Sequence, residues 1–260
     1  MSEKNIAFIE QVQSYQKDVK IKRGEAMFND KIDMETFDIK YYLKIFDELT
    51  LKNKEYVFYY YYFDNFLDGK PYIYVKKRNF DLEKNINEFV NIFGVTGKNK
   101  ESFIQSCFYH FLNDSINRAY NYVIPNPTER GFLQYLFFKE FGEQFALSWH
   151  ANYKYKKVIT TEKEIEEIVS KCREYELYKN NDTIENKTFE HNSLIDIDVL
   201  AATNPIPQIL IINNLCEITW YEKTFYGIFK RTYQIKKNKQ YDIKLKDEQK
   251  LVEIYPNITF

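Results

Sequence analysis

The sequence predicts an α+β fold: an aromatic-rich helical core with a β-hairpin, packed against a C-terminal antiparallel β-meander. Three observations carry that prediction. Apolar residues recur at three- and four-residue steps through most of the first two-thirds of the chain. An eight-residue aromatic run followed by Asp68-Gly69 interrupts them as a hairpin signal, and alternation at a period of two takes over after Pro207.

From Ser2 as N-cap, Ile6, Ile9, Val12, Tyr15 and Val19 trace one face of a helix. Residues 20–38 are charged and weakly patterned. Phe37, Tyr41, Tyr42, Ile45, Phe46 and Leu49 form a second helical stripe, with an exit over Thr50 to Lys54. Tyr56 to Phe63 is aromatic on both alternating faces, which suits a strand covered on each side and so a central one. Pro71 to Lys77 returns antiparallel to it. Leu82, Ile86, Phe89, Val90 and Phe93 predict a helix ending at Gly94, and Phe103 to Val123 predicts another, stopped by Pro125-Asn126-Pro127. From Thr128 to His150 apolar residues cover almost the whole circumference, the pattern of a helix packed on several sides at the centre of the fold.

Tyr155 to Thr160 predicts a short strand. Thr161-Glu162-Lys163-Glu164 is a capping box opening a helix with Ile165, Ile168 and Val169 inward. Glu174 to Asn192 is polar and predicts an exposed loop, and Asn204-Pro205-Ile206-Pro207 forces an extended path. Strands follow at 209–212, 216–221, 225–236, 240–246 and 250–255. In the fourth, Tyr241, Ile243 and Leu245 point one way and Asp242, Lys244 and Lys246 the other. Residues 1–260 are expected to form one large domain, or to divide into a helical part with the hairpin (1–158) and a mostly antiparallel sheet (159–260).

Composition excludes several functional classes. Twenty-three Tyr and 22 Phe build the core from large rings, while only 7 of 260 residues are Gly. Few glycines count against backbone cradles for phosphate, and neither GxGxxG nor a P-loop occurs; Gly94-Val95-Thr96-Gly97-Lys98 lacks both the spacing and the hydroxyl after the lysine. A net charge of −1 removes any argument from global attraction to nucleic acid or anionic lipid. Cys107, Cys172 and Cys216 lie far apart without a CxxC, which fits a reducing compartment better than a disulfide framework or a zinc site. No apolar run approaches the ~18 residues of a membrane span, and the start lacks a signal-type apolar stretch, so the expectation is a cytoplasmic protein without membrane contact.

Three constellations could carry chemistry. The central helix holds Glu140, Glu143, Gln144 and His150, and a carboxylate desolvated among rings would be raised toward proton-transfer use. Glu143 and His150 share a helical face but stand roughly 10 Å apart along the axis, and Lys139 can pair with Glu143, so the group is expected to be scaffold. His110 with Asp114 is a second orienting pair of the kind general bases use. Asp196 and Asp198 on a strand would share a face, as a phosphate-bridging divalent cation requires, though such pairs also keep an edge strand wet.

The clearest asymmetry is electrostatic. Lys223, Lys230, Arg231, Lys236, Lys237, Lys239, Lys244 and Lys246 stand against Asp242 alone, whereas Glu162 to Asp198 holds eleven acids against five bases. With Lys230, Thr232, Gln234 and Lys236 on one face of their strand and Lys244 and Lys246 on one face of the next, a basic sheet face with adjacent Tyr226, and with Arg231 among its interaction residues, would meet an acidic protein or a phosphate backbone, or be simply solvated. The expected function is a non-catalytic intracellular interaction module, such as an immunity- or antitoxin-type partner or an assembly subunit, with a protein partner and no cofactor. The alternatives are a metal-dependent phosphodiesterase using Asp196 and Asp198, and a non-catalytic nucleic-acid binder using the segment from Lys223 to Lys246.

Overall fold

The structure, a computed structural model, describes residues 3–25, 37–63, 70–79, 84, 118–145, 155–179, 191–194, 197–238 and 241–255. Helix α1 (Glu3–Glu25) continues past the predicted end at Val19 and buries Phe8, Ile9, Val12 and Val19. Helix α2 (Ile39–Ile45) is shorter than its apolar stripe implies. Asp38 caps it, accepting from the backbone N–H groups of Lys40 and Tyr41 at 2.8 and 3.0 Å, and Phe46 ends it. Leu49, predicted helical, instead opens strand β1 (Leu49–Leu51). The fully buried Gln134 draws the chain out of the helix: it accepts from the N–H of Glu48 at 2.8 Å and donates to Asp47 Oδ1 at 2.7 Å.

Strands β2 (Tyr56–Phe63) and β3 (Lys70–Lys77) form the predicted hairpin in unbroken register from Tyr56↔Lys77 to Phe63↔Lys70. They make a two-stranded ribbon of their own, so β2 is not a central strand among the described residues. Arg118 bridges Tyr74 on the other edge of β3. The helix predicted over 82–93 and most of the one over 103–123 lie outside the described residues. The end of the latter is a 3-10 turn, Ala119–Tyr122, leading to strand β4 (Val123–Pro125) against β1. Val123 is therefore extended rather than helical, because Pro125 pushes the residue before it toward β and stops a helix short of it.

Helix α3 (Glu129–Phe141) is buried continuously from Gly131 to Phe138, as its all-round apolar pattern requires. Thr128 caps its start, Oγ1 accepting from Gly131 N–H at 2.9 Å. It stops at Gly142 rather than His150, because its last carbonyls are taken by other elements: Gln16 Nε2 donates to Phe141 O at 2.6 Å and the Tyr42 hydroxyl to Gly142 O at 2.9 Å.

Gly131 is required for a different reason. A Cβ there would lie 2.1 Å from the carbonyl oxygen of Asn126, which belongs to the backbone and cannot rotate away. Alanine favours a helix interior over glycine by roughly 0.5–1 kcal/mol, but the clash outweighs that gain. Gly131→Ala is expected to lower stability by about 1–3 kcal/mol in urea unfolding; a stabilised variant would show that Asn126 does not approach this closely.

The sheet follows. Strand β5 (Lys156–Val158) leads to α4 (Glu162–Lys179), whose Thr161 cap accepts from Glu164 N–H at 3.2 Å. Helix α4 runs through residues 174–179, which the sequence assigns to a loop, and the loop's predicted end belongs to strand β6 (His191–Leu194), paired with β10. Next come the short helix α5 (Ile197–Ala201) and strands β7 (Gln208–Ile212), β8 (Leu215–Thr224), β9 (Gly227–Lys236) and β10 (Asp242–Tyr255). The two last predicted strands are one strand, β10, which absorbs its polar middle through register shifts between Leu245 and Asp247 and between Lys250 and Val252. The order is β5-β8-β9-β10-β6, antiparallel throughout, with β7 and β5 sharing one edge of β8 end to end.

The inner face of this sheet meets α3. Cys216, Ile218 and Trp220 from β8 and Tyr233 and Ile235 from β9 are buried there in one cluster with the rings of α1, α2 and α3. Trp220 sits edge-on to Phe141 at 5.4 Å and to Phe137 at 6.3 Å. A second cluster lies at the other end of the sheet, where Ile165, Val169 and Cys172 from α4 and Leu200 from α5 cover Ile228, Leu251 and Val252. No described helix is long and apolar enough to cross a membrane.

Candidate functional site

The inward-facing acids have structural partners. Glu143 lies beyond the end of α3, so the helical face it was to share with His150 does not exist. Its Oε1 accepts from the N–H of Ile73 in β3 at 3.0 Å and its Oε2 pairs with Arg118 at 3.2 Å, which locks the hairpin to the core. Lys139, expected to pair with Glu143, donates to the carbonyl of Ile243 at 3.4 Å instead. Glu140 pairs with Lys156 at 2.6 Å. His110, Asp114, His150 and Asp196 lie outside the described residues. Asp198 stands in the first turn of α5, not on a strand, with its side chain 92% exposed and Arg173 at 4.0 Å. Among the described residues no three His, Cys, Asp or Glu side chains come together as metal ligands. Burial pushes the Cys216 thiol up to about 12, so it stays protonated and is no nucleophile at neutral pH.

Glu164 is held in the same way. Burial alone would raise its carboxyl, but the ammonium of Lys157 and the N–H of Thr160 at 3.1 Å overcome that and hold it below the usual carboxylate range. A carboxyl lowered in the folded state contributes stability above its unfolded value, near 4.3, and loses it as pH falls through the folded value. Glu164→Gln is expected to lower stability at pH 7 by about 1 kcal/mol and to shrink the loss between pH 7 and pH 3. Equal acid sensitivity of wild type and variant in urea melts would contradict this.

One buried ionic group escaped the sequence reading. Glu222, 0% exposed, accepts from Trp220 Nε1 at 2.8 Å and from the Tyr233 hydroxyl at 3.1 Å, and Arg231 closes on its other oxygen. Arg231 also binds Glu248 at 2.6 Å and lies over the ring of Phe229. Arg231 is counted by the sequence among the interaction residues of the basic segment. It points inward instead, because in register it opposes Trp220 and shares the parity of Tyr233 and Ile235.

The outer face is divided in two. Helices α4 and α5 cover the end carrying Ile228 and Val252, while no described element covers the half toward the β9–β10 turn, the open half. Three cross-strand rows make up the open half. One runs Leu210, Glu217, Gln234, Lys244; the next runs Ile212, Leu215, Lys236, Asp242; the third contains Gln208, Thr219, Thr232 and Asp247. Leu210 and Ile212 are 53% and 54% exposed on β7, a strand that pairs only with β8 among the described residues. Thr219 and Thr232 join hydroxyls at 2.9 Å. Lys246 reaches across to Glu217 at 2.6 Å and, with Gln234, holds that carboxyl below its usual range.

Lys230, Lys236 and Lys244 make no ion pair among the described residues, and Lys236 and Lys244 are exposed. Among the described residues no ion pair joins an acid of α4 to them, and Glu164 is held by Lys157. Tyr226, 54% exposed, lies in the β8–β9 turn, ten residues or roughly 33 Å of strand from Lys236, and so is not part of this patch. The structure thus groups Lys230, Lys236, Lys244 and Lys246 on one face, removes Arg231 and Tyr226 from it, and adds Leu210 and Ile212. Comparison with known protein families, with curated proteins and with solved structures finds no significant match to this chain.

Proposed function

We propose that this chain is a non-catalytic interaction protein, of the immunity, antitoxin or assembly-subunit kind, which docks an acidic partner protein on the open half of the outer sheet face. The observation that carries this reading is that exposed Lys236 and Lys244, in no ion pair among the described residues, stand beside exposed Leu210 and Ile212 on one regular surface. An interface needs an apolar centre ringed by complementary charge, and these residues supply both parts. Among the described residues the inward carboxylates Glu140, Glu143 and Glu222, by contrast, are tied to cations and N–H donors. Glu217, Asp242 and Asp247 share rows with the lysines, which suits a protein partner better than a uniformly anionic phosphate backbone. The exposed helical position of Asp198 favours no metal-dependent phosphodiesterase.

The test is affinity capture from the cells that make the protein, at low and moderate salt and with nuclease, comparing wild type with Lys236→Glu/Lys244→Glu. Wild type is expected to recover a stoichiometric acidic protein, and the charge-reversed variant about tenfold less or lower. Equal recovery by both, or recovery abolished by nuclease, would overturn the reading.

A further inference from the structure

Independently of the sheet face, we infer that a pocket at the start of β10 binds a nucleotide unit, an aromatic base carrying a phosphate. The cavity, about 480 Å³, lies between the Ala119–Tyr122 turn, α3 and the entry to β10, within the size range of small-molecule sites. Tyr120, Tyr122 and Tyr241 line it, and its charged groups are Lys52, Lys139 and Asp242.

The charges and rings select the ligand. Lys139 Nζ stands 5.5 Å from the centroid of the Tyr120 ring and gives one hydrogen bond, to the carbonyl of Ile243 at 3.4 Å, which leaves further donors for an anion. Lys52 is exposed and makes no ion pair among the described residues. Two ammonium groups against one carboxylate favour an anion. Among the described residues no arginine lines the cavity to grip a planar carboxylate bidentately, whereas lysines serve phosphate as point charges. Tyrosine rings stack on bases, and Tyr120, Tyr122 and Tyr241 present them around the two ammonium groups.

Tyr241 is held for this use. Its φ is +52°, a region bulky residues rarely adopt, fixed by its N–H on the carbonyl of Asn238 at 3.3 Å. Its ring packs edge-on against Tyr135 at 6.0 Å and tilted on Phe132 at 6.3 Å, while Lys237 approaches the Phe132 ring at 5.1 Å. A third cation therefore stands one ring away from the pocket.

The ligand would be a free nucleotide or the exposed end of a single strand. Calorimetric titration with AMP, adenosine, ribose 5-phosphate and an oligoadenylate tests both. AMP is expected to saturate at one site, and adenosine and ribose 5-phosphate to bind about tenfold or more weakly. Lys52→Gln, an exposed change that leaves packing intact, and Lys139→Gln should each weaken AMP and leave adenosine unaffected, whereas Tyr241→Ala should weaken both. Tighter binding of the oligoadenylate than of AMP assigns a strand as the source, and equal or weaker binding assigns the free nucleotide. No saturable AMP binding, or wild-type affinity in Lys52→Gln, overturns the inference.

Discussion

Arg231→Met is expected to lower folding stability by about 3–5 kcal/mol, among the largest effects of any single substitution in the described fold. The reason is what remains behind. Glu222 is 0% exposed, and without Arg231 its charge keeps only the neutral donors of Trp220 and Tyr233. An ion pair in a low-dielectric interior adds little net stability over an apolar replacement, but removing one partner leaves an uncompensated buried charge. The double variant Glu222→Gln/Arg231→Met is therefore expected to recover most of the loss, since a glutamine oxygen still accepts from the indole and the phenol. Urea unfolding of both single variants and the double variant completes the cycle. If Arg231→Met costs under about 1 kcal/mol, the pair behaves as a surface ion pair and the assignment of Glu222 as scaffold is wrong.

Trp220→Ala carries a comparable expected loss, about 3–5 kcal/mol, by a different route. Trp220 is fully buried where α3 meets the sheet, edge-on to Phe137 and Phe141 and tilted on Tyr233 at 5.5 Å. Its removal opens a cavity among rings too large to collapse around it and also takes one donor from Glu222. Trp220→Phe separates these contributions. It retains an aromatic ring but not the Nε1 donor, and is expected to cost about 1–3 kcal/mol. Thermal or urea melts that rank Phe above Ala by a clear margin support the account; equal losses would mean that the hydrogen bond, not the packing, holds this junction.

Periodicity made part of this architecture legible and long-range contact hid the rest. The all-round apolar pattern of α3, the aromatic hairpin and the alternating C-terminal strands depend on local side-chain spacing, and they stand in the structure as read. Element ends do not. Helix α2 stops early and β1 begins because Gln134 reaches back 86 residues to Glu48, and α3 ends where Gln16, 125 residues away, takes its carbonyl. No local pattern encodes such partners.

The candidate site divides along the same line. Alternation placed Lys230, Lys236, Lys244 and Lys246 on one face. The same alternation, applied to Glu222 after Cys216, Ile218 and Trp220, and to Arg231 before Tyr233 and Ile235, would have turned both inward. Counting charge without parity concealed the buried pair. The apolar part of the face was hidden for another reason: Leu210 and Ile212 resemble core residues until the pairing shows β7 at an edge.

The open half of the outer sheet face is proposed as the working surface, with the buried acids as scaffold. Its most direct test is a photo-crosslinking residue placed at Gln234, amid the lysines, compared with one at Lys54 on the exposed approach to β2. One abundant acidic protein adduct is expected from position 234, lost when Lys236 and Lys244 are reversed to glutamate, and none from position 54. Adducts of equal yield from both positions, or an adduct at 234 that survives charge reversal, would contradict it.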